Sequence, residues 1–208
     1  MTKVSLEYQP QIDGLRAIAV IGVILFHMKY QWISGGFVGV DIFFVISGYL
    51  ITSIILKEHE NRQFKISKFM VRRIKRILPA LLTMLFVISI VIYFLLFIDD
   101  INSFGEQSLS AIFSCSNIFF WKTIGSYWGP SANNLPLLHM WSLSLEEQFY
   151  LVYPLILMFF LSFRRKYAFF SILVIALCSF FLYLYDSSLS TFYLLPMRAW
   201  EIAAVLQQ

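Results

Sequence analysis

The stretch Pro79-Ala-Leu-Leu-Thr-Met-Leu-Phe-Val-Ile-Ser-Ile-Val-Ile-Tyr-Phe-Leu-Leu-Phe-Ile98 carries no charged side chain. An α-helix crosses the hydrocarbon core of a bilayer in about 20 residues at 1.5 Å each, so this run has the length and the chemistry of a membrane span. Proline suits its first position, because the first helical turn needs no amide donor. The basic stretch Lys57–Arg76 precedes the run, and Asp99-Asp100 closes it. One end of the span is therefore expected to be cationic and the other anionic.

The rest of the chain has the same character. Of 208 residues, 59% are hydrophobic, 18% aromatic and 13% charged. A soluble domain carries about 25% charged and 45–50% apolar residues. The composition excludes a disordered chain, a nucleic-acid-binding tail and a coiled coil, and no nucleic-acid partner is expected. It predicts an all-α, polytopic transmembrane helix bundle. Further spans are expected at 12–32, 37–56, 138–163, 167–185 and from 194 towards 208. The segment around 107–121 is too short to span and is expected to lie at the interface or re-enter the membrane. Trp121, Tyr127 and Trp128 suit an interfacial aromatic belt. Glu7 and Asp13 precede the first run and no small-residue cleavage site follows it, so a retained span is expected rather than a cleaved signal. Cys115 and Cys178 form no CxxC and are expected to be packing residues.

Orientation follows from the cations. Eight lie between Lys57 and Arg76, three at Arg164-Arg165-Lys166, and Lys3 and Arg16 lie at the N-terminal end. These thirteen of sixteen fall on one side if the segments alternate, while Asp99, Asp100, Glu106 and Asp186 fall on the other. The positive-inside rule makes the basic side, and the tail 1–11, cytoplasmic.

Charges inside spans are costly and are the first places to look for function. Arg16 and His27 are eleven residues apart, about 1100° of helix, so they share one face roughly 16 Å apart along the axis. A fixed cation and a titratable base on one track suit a reaction carried through a membrane, with His27 as general base. Snorkelling of Arg16 and an interfacial His27 remain the alternative. Asp41, early in the second span, either orients His27 as a carboxylate partner or forms a structural ion pair or cap. Arg72, Arg73 and Arg76 share a helix face, where guanidinium groups suit a nucleotide-type phosphate. They equally suit topology and contact with anionic membrane lipid. In His139-Met-Trp141-Ser142-Leu-Ser-Leu-Glu146-Glu147-Gln148-Phe-Tyr150, Glu146 and Tyr150 share a face with Trp141 and Ser142 one turn earlier. Carboxylate, indole and hydroxyls suit a sugar hydroxyl. Glu146 and Glu147 diverge by 100° and are expected to have different jobs. Arg198 and Glu201 are spaced to pair within one helix, as scaffold. No GxSxG, P-loop or HExxH is present, and His27, His59 and His139 lack ligand spacing, so no metal is expected.

Together these segments resemble the membrane acyltransferase-3 family of polysaccharide and peptidoglycan O-acyltransferases. The resemblance rests on Ile12-Asp-Gly-Leu-Arg16-Ala17 with His27, and on Gly36-Phe-Val-Gly-Val-Asp41-Ile-Phe-Phe-Val-Ile-Ser47-Gly48-Tyr49-Leu-Ile-Thr52. It rests also on Arg72-Arg73-Ile-Lys-Arg76-Ile-Leu-Pro79, Leu138–Tyr150 and Arg198-Ala-Trp200-Glu201. It implies transfer of an acyl group, usually acetyl, from cytoplasmic acyl-CoA to a hydroxyl of an extracytoplasmic glycan such as O-antigen, exopolysaccharide or peptidoglycan. It implies a bacterial inner-membrane location and a bundle of about ten helices of roughly 20 residues each, of which five or six lie here. Residues 12–208 would then be an incomplete domain. On this basis Arg72, Arg73 and Arg76 receive coenzyme A, Arg16 steadies the acyl arm, and His27, oriented by Asp41, serves as acyl acceptor or base. Glu146, Trp141, Ser142 and Tyr150 face the acceptor. A transporter or flippase with Arg16, Asp41 and Glu146 along a pore, and an inactive remnant, are the competing readings.

Overall fold

A computed structural model describes residues 9–29, 31–95, 98–124, 135–186, 188 and 190–203. Among them the chain is helical and holds no strand. The helices are α1 Pro10–His27, α2 Gly39–Glu60, α3 Ile66–Leu95, α4 Ile98–Ile112, α5 Ser116–Ile124, α6 Met140–Leu161, α7 Arg165–Tyr185, α8 Ser190–Tyr193 and α9 Leu195–Ala203. Five segments are long and apolar enough to cross a membrane: Pro10–His27, Gly36–Glu60, Ile66–Phe94, Met140–Leu161 and Arg165–Tyr185. The chain is a multi-pass membrane protein.

Helix α3 differs from expectation at its start. It begins at Ile66, so Pro79 lies inside it rather than at its first turn. Lysine, arginine, leucine and methionine are good helix formers, and they carry the helix through the basic stretch. Pro79 removes only the bond that would have reached the Lys75 carbonyl, a loss membrane helices tolerate. Thirty residues make a helix of about 45 Å, longer than a hydrocarbon core of about 30 Å. The excess is the basic first turns, which bear Arg72, Arg73 and Arg76.

The mixed segment resolves into α4 and α5 rather than one short helix. Gln107 and Ser110 are buried on α4, and Ser116, Asn117 and Phe120 on α5. Tyr127 and Trp128 lie outside the described residues, as does 204–208 at the end of the expected sixth span. Between the two helices, the Cys115 N–H donates to the Ser110 carbonyl at 2.8 Å and the Ser114 N–H to the Ala111 carbonyl at 3.1 Å. Ser114 has φ +56°. This is a Schellman-type helix end, whose left-handed position usually belongs to glycine.

The chain divides into two compact units. The first takes in Met1–Phe64, Pro154–Leu182 and Arg198–Gln208, and the second Lys65–Tyr153 and Tyr183–Met197. In the first, α1 meets α2 where glycine lets backbones touch. A Cβ at Gly39 would lie 2.5 Å from the Ala19 carbonyl oxygen, and one at Gly48 would overlap the Ile202 carbonyl. Overfilling a packed contact costs about 1–3 kcal/mol, so Gly48→Ala is expected to lower thermal stability in detergent by that order. An unchanged Tm would mean that α9 yields freely. In the second unit, Phe69, Leu81, Leu85, Phe104, Phe120, Leu145 and Phe149 are buried together with Ser144 and the α4–α5 polar side chains.

Candidate functional site

In the first unit, α1 carries Arg16 and His27. His27 Nδ1 lies 2.8 Å from the Val23 carbonyl, one turn back. A carbonyl oxygen can only accept, so Nδ1 is the donor in this contact, which orients the ring. The ring is exposed and meets Phe26 edge-on at 5.3 Å. Arg16 is half-buried, and its Nε–H is buried without an acceptor. A buried donor left unmatched is costly, and an anionic group would relieve it.

Asp41, in the first turn of α2, accepts a hydrogen bond from Arg198 Nη1 at 2.6 Å. Arg198 also binds both Glu201 oxygens at 3.0 Å. Of the two roles open to Asp41 on sequence, the carboxylate is engaged in the ion pair. The pairing of Arg198 with Glu201 within α9 is present, but Asp41 extends it across to α2. Arg198 and Glu201 are buried, and the Asp41 side chain is about one-third exposed. The Trp200 N–H donates to Ser179 on α7 at 3.0 Å, which helps fix the same helix.

In the second unit, Arg72 and Arg76 are exposed and Arg73 is half-buried. The Arg73 guanidinium lies 5.0 Å above the Tyr150 ring and 5.2 Å above Phe69. Such cation–π contacts contribute about 0.5–2 kcal/mol and fix the direction of the guanidinium. The Tyr150 hydroxyl donates to Glu146 Oε1. Arg73, Tyr150 and Glu146 thus form a continuous row from α3 to α6. Trp141 packs between Phe192 at 4.4 Å and Tyr193 at 5.6 Å and is only 6% exposed, so little of its ring faces any open space. Ser142 donates to the His139 carbonyl at 3.1 Å.

Glu147 turns away from Glu146, as the 100° step requires. It accepts from the Ser114 hydroxyl at 2.5 Å. Gln148 donates to the Ser114 carbonyl and to Asn117 Oδ1, both at 2.8 Å, and Asn117 donates to the Tyr193 carbonyl at 3.0 Å. The Ser116 N–H donates to Ser144 Oγ at 3.1 Å, and the Leu137 N–H to Gln107 Oε1 at 3.1 Å. A polar seam therefore ties the α4–α5 turn to the start of α6. In a setting without water, each of these groups needs its partner. Sequence reasoning passed over Ser114, Asn117 and Gln148 as candidates. Their signal was present: polar residues interrupt an otherwise apolar segment, opposite a second, half-buried carboxylate.

A cavity of about 530 Å³ opens beside this seam. Met70, Ile74, Ile77 and Phe113 give it apolar walls, and Arg73, Tyr150, Glu147 and Ser114 give it polar ones. Concave, apolar and holding a few convergent polar groups, it has the form of a small-molecule site. Among the described residues no group of three or more His, Cys, Asp or Glu side chains could hold a metal ion.

A family model described as "Acyltransferase domain" matches residues 9–203. The chain is 42% identical over 167 residues to the peptidoglycan O-acetyltransferase OatA of Listeria monocytogenes, covering 79% of this chain and 26% of that protein. It is 46% identical over 157 residues to the O-acetyltransferase OatA of Staphylococcus aureus, covering 74% of this chain and 25% of that protein. It thus spans about a quarter of the length of the curated relatives it matches. No solved structure matches it.

Proposed function

The chain belongs to this acyltransferase domain family, and on that premise we propose that it moves an acetyl group from acyl-CoA to a hydroxyl of a glycan outside the membrane. The similarity to a peptidoglycan O-acetyltransferase favours peptidoglycan as the acceptor. The basic stretch Lys57–Arg76 and the stop Arg164-Arg165-Lys166 favour a cytoplasmic N-terminus in a bacterial cell membrane, with acyl-CoA arriving on that side.

One observation carries the reading. Arg73 is aimed by two aromatic rings at the wall of an apolar cavity, with Arg72 and Arg76 on the same basic turns. Coenzyme A needs cations for its phosphates and a narrow apolar slot for the pantetheine arm, and this arrangement supplies both. His27, its ring oriented by the Nδ1 contact with the Val23 carbonyl, serves as the base towards the acceptor hydroxyl. Arg16, with an unmatched buried donor, helps hold the acyl-CoA arm. The Tyr150–Glu146 pair holds Arg73 in place, and Asp41 holds the frame through Arg198.

The test is incorporation of label from acetyl-CoA into glycan in membranes carrying the protein. A transporter of preformed acetylated glycan would leave the glycan unlabelled. In the same assay Arg73→Gln is expected to raise the KM for acetyl-CoA by about tenfold, ~1.4 kcal/mol, with a smaller change in kcat. An unchanged KM would return Arg73 to a purely topological role.

A further inference from the structure

We propose that Ser114 is an acyl-accepting nucleophile on the donor side, activated by Glu147. The proposal rests on the acyl-CoA reading given above. Three observations converge on this one residue.

The first is the dyad. The Ser114 hydroxyl donates to Glu147 Oε2 at 2.5 Å, the nucleophile-to-base contact that alcohol activation requires. The second is the backbone. Ser114 sits at φ +56° in a position that closes α4, where glycine would be more comfortable. A serine held there, with its carbonyl pinned by Gln148 at 2.8 Å, points to a use for its side chain. The third is access. Ser114, Glu147 and Arg73 line the same cavity, and Ser114 is only part-buried. At 15 residues, α4 reaches back about 22 Å from its start near the end of α3. The α4–α5 turn and the Arg73 segment meet in the wall of that one cavity. The hydroxyl therefore stands where the thioester end of an acyl-CoA would enter if its phosphates rest on the arginines.

The step balances as follows. Glu147 takes the hydroxyl proton as Ser114 Oγ bonds to the thioester carbonyl carbon. The carbon–sulfur bond breaks, and the coenzyme A thiolate leaves with the proton from Glu147. The product is an O-acyl ester on Ser114 and free coenzyme A thiol. When an acceptor hydroxyl attacks that ester, its proton restores the Ser114 hydroxyl and the acyl group departs.

Ser114→Gly separates chemistry from folding, because glycine suits a left-handed helix end. Membranes carrying the protein are incubated with labelled acetyl-CoA, quenched in acid and analysed by peptide mass. The natural protein is expected to carry an alkali-labile acetyl group on the peptide containing Ser114. Ser114→Gly should lose that label and lower glycan acetylation by about a hundredfold or more, with an unfolding temperature no lower than that of the natural protein. Ser114→Cys should trap a thioester released by neutral hydroxylamine. Glu147→Gln should slow labelling by about a hundredfold. Full glycan acetylation by Ser114→Gly, or product formation without label on Ser114, overturns the nucleophile and leaves the acyltransferase reading intact. Natural-protein membranes that label neither Ser114 nor glycan overturn both.

Discussion

His27→Ala is expected to lower glycan acetylation by about a hundredfold or more, the usual worth of a positioned general base, while leaving the fold unchanged. The ring is exposed, so its removal uncovers little apolar surface. What it removes is an imidazole whose orientation is set by the backbone. The Val23 carbonyl, 2.8 Å from Nδ1, accepts its hydrogen bond and holds the ring along the helix. The decisive readout is kcat for transfer to glycan at saturating acetyl-CoA, beside acetyl-CoA affinity measured separately. A base acting on the acceptor predicts that kcat collapses while donor affinity stays. Undiminished kcat in His27→Ala would remove His27 from the chemistry.

The bundle was legible because a bilayer imposes a length and a polarity that a sequence displays directly. Pro79–Ile98, with cations before it and carboxylates after, could be nothing but a span. The start of α3 was not legible, because nothing in Lys65–Leu78 marks where a solvated helix becomes a buried one. Proline was read as a beginning when it lies in the interior. The candidate site was legible where charge is dear. Arg16, His27, Asp41 and Glu146 stand out as ionisable groups in or beside apolar runs, and Arg73 as part of a basic stretch. Their partners were not legible. Arg198 is 157 residues from Asp41 along the chain, and no periodicity relates them. Ser114 and Glu147 are 33 apart for the same reason. The ring partners of Trp141 were hidden in the same way: Phe192 and Tyr193, far along the chain, pack against its indole.

Arg198→Met is expected to destabilise the protein by about 3–5 kcal/mol, the cost of removing one partner from a buried ionic group. The reason lies in charge counting. One guanidinium serves two carboxylates, Asp41 at 2.6 Å and Glu201 at 3.0 Å. Without it, Glu201, whose side chain is 5% exposed, has to hold a negative charge in an apolar setting beside another carboxylate or take up a proton to lose it, and either is costly. Asp41, about one-third exposed, can still reach solvent and suffers less. The loss should therefore be relieved at Glu201 rather than at Asp41. Arg198→Met combined with Glu201→Gln is expected to recover most of the lost stability, because the neutral amide needs no counter-ion. Arg198→Met combined with Asp41→Asn should recover much less. Thermal unfolding in detergent reads all three, with the single variant expected to melt about 10 °C below the natural protein. Equal rescue by either second change would place the two carboxylates on the same footing, and a full-strength single variant would show that the triad holds nothing. Met in place of Arg keeps the volume that α9 presents to α2. A large drop in that variant would therefore measure the electrostatics of the triad rather than a hole in the packing.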